Sequence, residues 1–192
     1  EGTNYIKNPR FDPPDGVAGW ASGTAGVVVA LSGDEARRGA YSMKITPPNN
    51  TASPVGYDNL AVVNQLDYTF SFDFKGTEGQ SFVAAIHDAA WDAKKTASFT
   101  ATGYWQRIEL TFTATENSSA YKVSIARNAI ASTDPFYVDG AQFEQASKAT
   151  TFMHGYGDGC KWEGAIRSSA SIRSAYTGLG GELLDLEDYC QL

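Results

Sequence analysis

The run Tyr68-Thr69-Phe70-Ser71-Phe72-Asp73-Phe74-Lys75 constrains this chain more than any other segment. Aromatic and polar residues alternate along it, and a period of two puts all the rings on one side of an extended strand. A helix would scatter the same rings around its circumference. The segment therefore reads as a strand with one face in a core, and it needs a second apolar layer to face. Gly76 to Gln80 supplies turn residues, and Ser81 to His87 resumes with Phe82, Ala84 and Ile86 on one face. The two segments read as consecutive antiparallel strands.

Similar alternation marks Ile108 to Phe112, Tyr121 to Ile125 and Phe136 to Phe143, with further strands at Gly26 to Leu31, Tyr41 to Thr46 and Tyr57 to Val63. Turn residues such as Ser32-Gly33-Asp34 and Pro47-Pro48-Asn49-Asn50 separate them. With 10 Tyr, 10 Phe and 19 Gly, the composition suits pleated sheets joined by turns rather than packed helices. The expectation is an all-β sandwich over residues 1–147, with Phe70, Phe72, Phe74, Phe82, Ile86, Trp105, Leu110 and Phe112 in one core and Ser71 and Asp73 facing away. From Gln145 the texture changes, and residues 148–192 read as a glycine-rich connector leading into a further segment. Gly180 to Asp188 would be a short strand within it.

Chemistry of the catalytic kind finds little to hold. The chain has 2 His and lacks a G-x-S-x-G elbow, an H-E-x-x-H helix and a phosphate loop ending in G-K-(S/T). The G-x-G-x-G of Gly155 to Gly159 has no helix after it and reads as a connector. His154, Asp158 and Cys160 are too close in sequence to surround a metal tetrahedrally. A net charge of −7, from 15 basic and 22 acidic residues, repels phosphate backbones and argues against nucleic acid. No apolar run approaches a membrane span, and there is no basic-then-apolar segment at Glu1. Pairing of Cys160 with Cys190 stays open. An enzyme is not expected, nor membrane insertion.

Several local patterns, in order along the chain, resemble the β-jelly-roll carbohydrate-binding modules of families 4, 9 and 22. Asn8-Pro9-Arg10-Phe11-Asp12 followed by Gly19-Trp20 looks like an opening N-P-x-F-(E/D)…G-W. Gly39 to Ile45 is similar to G-x-x-S-L-K-V, and Tyr68 to Lys75 to Y-x-x-S-F-x-x-K. Trp105-Gln106-Arg107 with Leu110 to Thr113 looks like W-x-R…T-F-T, and Phe136 to Glu144 like a closing (Y/F)-V-D-G-x-Q-L-E. The stretch from Thr150 through Gly159-Cys160-Lys161-Trp162-Glu163-Gly164 to Gly181 resembles a segment that follows this sandwich in tail-tip and adsorption proteins of long-tailed bacteriophages. Together the resemblances imply a jelly roll in a phage tail protein that binds host-envelope glycans, located on the virion beside other tail subunits. The alternatives are a purely structural tail domain and an extracellular module of a secreted polysaccharide-degrading enzyme.

The module resemblance implies a structural Ca²⁺, held by the carboxylates of Asp12 and Asp139 with backbone carbonyls of Arg10 and of the Arg38 to Tyr41 turn. Hard Ca²⁺ takes six to eight oxygens, and such a set supplies that kind of ligand. The other reading has Asp12 capping the turn before Pro13-Pro14 and Asp139 occupying the turn before Gly140. For sugar binding the need is an aromatic face to lie against a pyranose ring, plus polar groups for its hydroxyls. Trp91, set among His87-Asp88-Ala89-Ala90 and Asp92, is a large aromatic at a strand end and costly to expose unless it contacts something. Tyr57 joins it, with Asp58, His87 and Arg127 as candidate polar partners on the inner strands or loop tips. The ligand expected is a neutral or cationic glycan, unless Arg127 and Lys94-Lys95 gather locally.

Overall fold

The computed structural model describes residues 2–156, 160–166 and 170–173, and shows strands and no helix among them. The strands, in chain order, are β1 (Gly2–Asn4), β2 (Trp20–Ala21), β3 (Val28–Ser32), β4 (Ser42–Thr46), β5 (Ser53–Val62), β6 (Asp67–Lys75), β7 (Ser81–His87), β8 (Ala93–Thr100), β9 (Gln106–Thr113), β10 (Ser118–Arg127), β11 (Phe136–Glu144), β12 (Cys160–Trp162) and β13 (Ser171–Arg173). Two five-stranded antiparallel sheets pack face to face as a sandwich. The front sheet has the order β2-β5-β10-β7-β8 and the back sheet β3-β4-β11-β6-β9.

The alternation of β6 works as the aromatic pattern requires. Phe70, Phe72 and Phe74 are fully buried between the sheets and meet Phe82 and Phe99 of the front sheet, with the rings of Phe74 and Phe82 4.6 Å apart and steeply inclined. Each such side chain contributes about 1.5–3 kcal/mol by leaving water, and inclined ring pairs add about 0.5–1.5 kcal/mol beyond that. Leu110, Phe112, Phe82 and Ile86 share this core. Trp105 does not: it is half-buried, in the turn before β9.

One expectation is corrected, and two features go beyond what was expected. β6 and β7 follow one another in sequence but lie in opposite sheets, because Gly76 to Gln80 crosses the sandwich rather than closing a hairpin. β8 was not anticipated: Ala93-Lys94-Lys95-Thr96-Ala97-Ser98-Phe99-Thr100 is a mostly exposed edge strand, and only Ala97 and Phe99 pack on the core. Edge strands favour such polar and lysine-rich sequences because these discourage pairing with another chain. Ser71 and Asp73 do face away from the core, yet they are 0% and 4% exposed.

The reason is that the back sheet is covered by its own chain. Arg107 Nη2 donates to Ser71 Oγ at 2.8 Å, and Asp73 accepts from Arg38 Nε at 2.7 Å. Beyond them the segment after β11 folds back: Glu144 accepts from the Thr150 amide and hydroxyl, and the Met153 amide donates to Gln142 Oε1 at 2.7 Å. Phe152, Met153 and His154 are consequently buried. β1 then pairs with β13, and β13 with β12, as a small three-stranded sheet. The two main sheets thus end with Glu144 of β11, and the segment from Thr150 to His154 packs against the back sheet. Gly180 to Asp188 lies outside the described residues. Among those described, no helix is long and apolar enough to cross a membrane.

Candidate functional site

The front sheet presents its second face to solvent, and Trp91 lies across it. The loop joining β7 to β8 places Trp91 at φ +68°, a left-handed conformation that bulky residues rarely hold. Several contacts keep it there. Asp88 Oδ1 accepts the amides of Ala90 and Asp92, Asp88 pairs with Lys94 at 2.6 Å, and Lys122 Nζ donates to the Ala89 carbonyl at 2.6 Å. The Lys94 ammonium, by hydrogen bonding, holds the Asp88 carboxyl below its ordinary range. Thus fixed, the indole folds back over the sheet. A Cβ on Gly56 would lie 3.1 Å from its Cη2, its ring centroid is 5.2 Å from that of His87, and Lys122 Nζ is 5.0 Å from it. Trp91 as a whole remains 52% exposed.

The register explains why the indole can approach the sheet so closely. Gly56, Ser124, Ala85 and Thr96 are paired in one row across β5, β10, β7 and β8, and Pro54, Ala126, Val83 and Ser98 in the next. Alternate core-facing neighbours such as Val55, Ile125 and Ala84 are buried, so these rows are the outer face, floored by small side chains. His87 connects floor to loop. Its Nδ1 lies 3.2 Å from the Trp91 carbonyl, which can only accept, so Nδ1 carries the proton; Nε2, 2.8 Å from Ser124 Oγ, then accepts the serine hydroxyl. Burial lowers the His87 pKa and favours this neutral ring.

The other residues expected at a sugar site are placed differently. Tyr57 is 6% exposed and belongs to the core, its ring 5.4 Å from that of Trp20 and its hydroxyl accepting the Lys7 amide at 3.2 Å. Gly19 makes room for it: at φ +86° a Cβ there would stand 2.6 Å from the tyrosine ring. Arg127 is wholly buried. Its guanidinium donates to the carbonyls of Ser132, Pro48 and Asp134, so it pins two loops and offers no face to a ligand. Asp58 is exposed. With Asn59 it forms a bulge opposite Lys122, since Tyr57 pairs with Val123 and Leu60 with Tyr121. Both residues, with an edge of Tyr57, border a cleft of about 340 Å³ that also includes Lys7 and Asp15.

The residues expected to hold calcium are gathered, but as partners of one another. Asp139 is buried, and its Oδ2 accepts the amides of Arg37 and Arg38 at 2.7 and 2.6 Å while Oδ1 accepts that of Gly140 at 2.7 Å. Burial raises its pKa to about 6 against the lowering effect of these amides. The Arg38 carbonyl accepts Arg10 Nε at 2.8 Å, and Arg10 Nε lies 3.7 Å from Asp12 Oδ2. Asp12 also receives, on its carbonyl, the Asn8 side-chain amide. Tyr41, the remaining residue of the set, precedes β4. These donors take up Asp139 and the Arg38 carbonyl, two of the ligands that a calcium ion would need. Among the described residues no group of three or more His, Cys, Asp or Glu could hold a metal. For the His154, Asp158 and Cys160 trio, Cys160 is disulfide-bonded and Asp158 lies outside the described residues.

Residues 3–129 match the profile of a family described as a carbohydrate binding domain. The chain belongs to this family. Solved structures share its fold. An arabinose-bound α-L-arabinofuranosidase aligns with 77% of this chain and 27% of its own at 12% identity and a TM-score of 0.63. A family 16 carbohydrate binding module aligns over 73% of this chain and 99% of its own at 21% identity and 0.57. The enzymatically active domain of bacteriophage CBA120 tailspike protein 4 aligns over 73% and 21% at 14% identity and 0.55. At these identities the likeness is one of fold. This chain spans about a quarter of the arabinofuranosidase and almost all of the family 16 module. No curated protein matches the sequence.

Within this binding domain the sequence reading missed Gly56, Lys122, Ser124 and Asp88. Only Asp88 left a trace, as an Asp two residues before Ala90 that can cap a short loop. The others matter through register with β7, which no local pattern reveals.

Proposed function

We propose that this domain binds a neutral glycan along the outer face of the front sheet, with Trp91 as the ring on which one sugar stacks. The observation that carries this reading is the half-exposed indole, locked over a floor of small residues by His87, Lys122 and Asp88. A fixed aromatic face loses little conformational entropy on binding, which favours affinity. Exposed Thr96 and Ser98 on one flank, and Asp58 and Asn59 on the other, supply partners for hydroxyls. A shallow site of this kind holds its ligand at roughly micromolar to millimolar Kd. The net charge of −7 disfavours polyanionic polymers.

The domain then works as one module of a longer protein. We place it in a phage tail protein that recognises envelope glycans of its host, a reading supported by the tailspike likeness and by the sequence after Thr150; linked copies there would raise avidity by about 10² to 10⁴. The arabinofuranosidase likeness supports the second reading, a module of a polysaccharide-degrading enzyme. A glycan array carrying bacterial envelope glycans beside plant polysaccharides tests both. Binding to the first alone favours the tail, and binding to the second alone favours the enzyme. No binding to either, even with a multimerised domain, overturns the glycan reading in favour of a structural tail domain.

A further inference from the structure

We propose that the guanidinium of Arg10 serves as a resident cation between the opening segment and the Arg38 to Tyr41 turn, so that the fold needs no Ca²⁺ there. Two of the oxygens that a metal would draw together, on Arg38 and Asp12, already meet at one arginine. Arg10 Nε donates to the Arg38 carbonyl at 2.8 Å and lies 3.7 Å from Asp12 Oδ2, so one positive group joins a carbonyl and a carboxylate from two separate stretches of chain. A charged donor makes stronger hydrogen bonds than a neutral one, and the planar fork fixes direction as well as charge.

The surroundings are shaped to this side chain. Gly39 has φ +127°, and a Cβ added there would stand 2.6 Å from Arg10 Nη2 and 3.1 Å from Nε. The turn therefore passes as close to the guanidinium as a glycine allows. Asp139 is committed independently of Arg10, through three backbone amides. Asp73, the nearby buried carboxylate, is matched by Arg38 Nε at 2.7 Å and by Arg107 Nη1 at 3.5 Å. Asp139 and Asp73 thus have their donors within the chain, and an ion that drew Asp12, Asp139 and the Arg38 carbonyl together would have to displace a guanidinium and strip amides from a buried group. Displacing those donors leaves buried polar groups unpaired, which costs more than the lost bonds alone.

The experiment is thermal unfolding of the whole chain in chelator and in millimolar CaCl₂, with calorimetric titration of CaCl₂ into the chelated protein. The wild type is expected to melt at the same temperature in both and to take up no calcium. Arg10→Ala is expected to melt several degrees lower in chelator, and Arg10→Gln, which keeps length without charge, to fall between the two. A wild type that loses stability in chelator and regains it with calcium overturns the proposal. So does an Arg10→Ala protein that melts with wild type. Should Arg10→Ala fail to fold, the titration of wild type and the Arg10→Gln melt still decide the question.

Discussion

The two sheets of the sandwich present their outer faces to very different surroundings. On the back sheet, Ser71, Asp73, Gln142 and Glu144 all point away from the core and are all buried, roofed by Arg38, Arg107 and the returning segment Thr150 to His154. On the front sheet the corresponding rows carry Gly56, Ser124, Ala85 and Val83, and what lies over Gly56 is the indole of Trp91, still half in solvent. One face has a polar network satisfied by its own chain. The other offers small side chains, an aromatic ring and flanking hydroxyls, which is the kind of surface that gains from an external partner. In a sandwich both outer faces start equivalent, so the position of the returning segment decides which of them a ligand can use.

If this division is correct, breaking the back face must cost stability and leave recognition intact. Glu144 is 1% exposed and accepts from Gln142 Nε2, the Thr150 amide and the Thr150 hydroxyl. Glu144→Ala strands these donors and should destabilise the fold by about 3 kcal/mol, at the high end for losing a buried charged acceptor. Urea unfolding measures the loss, and glycan affinity of the folded fraction should stay at the wild-type value. A large affinity change would mean that the two faces are coupled.

The reciprocal change belongs to the front face. Trp91→Gly removes the ring, and glycine holds φ +68° without steric cost, so the loop should persist. Affinity is expected to fall at least tenfold, about 1.4 kcal/mol, with stability within about 0.5 kcal/mol of wild type as at other surface positions. An unfolded protein would show instead that the indole serves as core.

How much of this was legible beforehand follows from the range of each signal. Phe70, Phe72 and Phe74 announce their strand because a period of two is local, and Trp91 stands out by being a large ring among Asp, Ala and His. Tyr57 and Arg127 have types that suit a sugar site, while register and loops turn them inward: Tyr57 is mostly buried because β5 alternates with Val55, keeping only an edge on the cleft beside Asp58, and Arg127 is wholly buried because three loop carbonyls converge on it. Ser71 and Asp73 misled in the opposite sense. Polar residues on a strand read as solvent-facing unless one knows that a segment far along the chain returns to cover them. Arg10 sat in plain view at the variable position of N-P-x-F, but the role of its guanidinium depends on the turn at Gly39 coming within reach.

A smaller effect concerns pH and separates the faces by their protonation. Burial lowers the His87 pKa below the usual histidine value, so the unfolded chain binds a proton that the folded one resists. The His87 contribution to stability should therefore be flat above about pH 6.5, the ordinary histidine value, and decline as pH falls from there towards the folded pKa, against the opposite trend of Asp139, whose raised pKa favours the fold as pH falls through about 6. Recording urea midpoints from about pH 8 to about pH 5 for wild type and His87→Gln isolates this contribution as the difference between the two curves. Parallel curves would show that His87 titrates alike in both states and is not held neutral by the floor of the platform.

The finest distinction is whether the indole must lie flat or need only be present. Gly56→Ala adds one methyl under the ring, 3.1 Å from Trp91 Cη2 and 3.2 Å from the Val123 carbonyl. Both separations are short for a carbon contact, so the ring has to rise or tilt by a few tenths of an ångström while β5 keeps its pairing. Replacing glycine within a strand favours folding by roughly 0.5–1 kcal/mol through the unfolded chain, which offsets the crowding, and the melting temperature should hardly move. Affinity should drop only about two- to threefold, roughly 0.4–0.7 kcal/mol. Calorimetric titration resolves that difference when run beside wild type and Trp91→Gly. A Gly56→Ala protein that binds as weakly as Trp91→Gly would mean that the tilt of the ring governs recognition, and one that binds as wild type would mean that an exposed aromatic anywhere over this floor suffices.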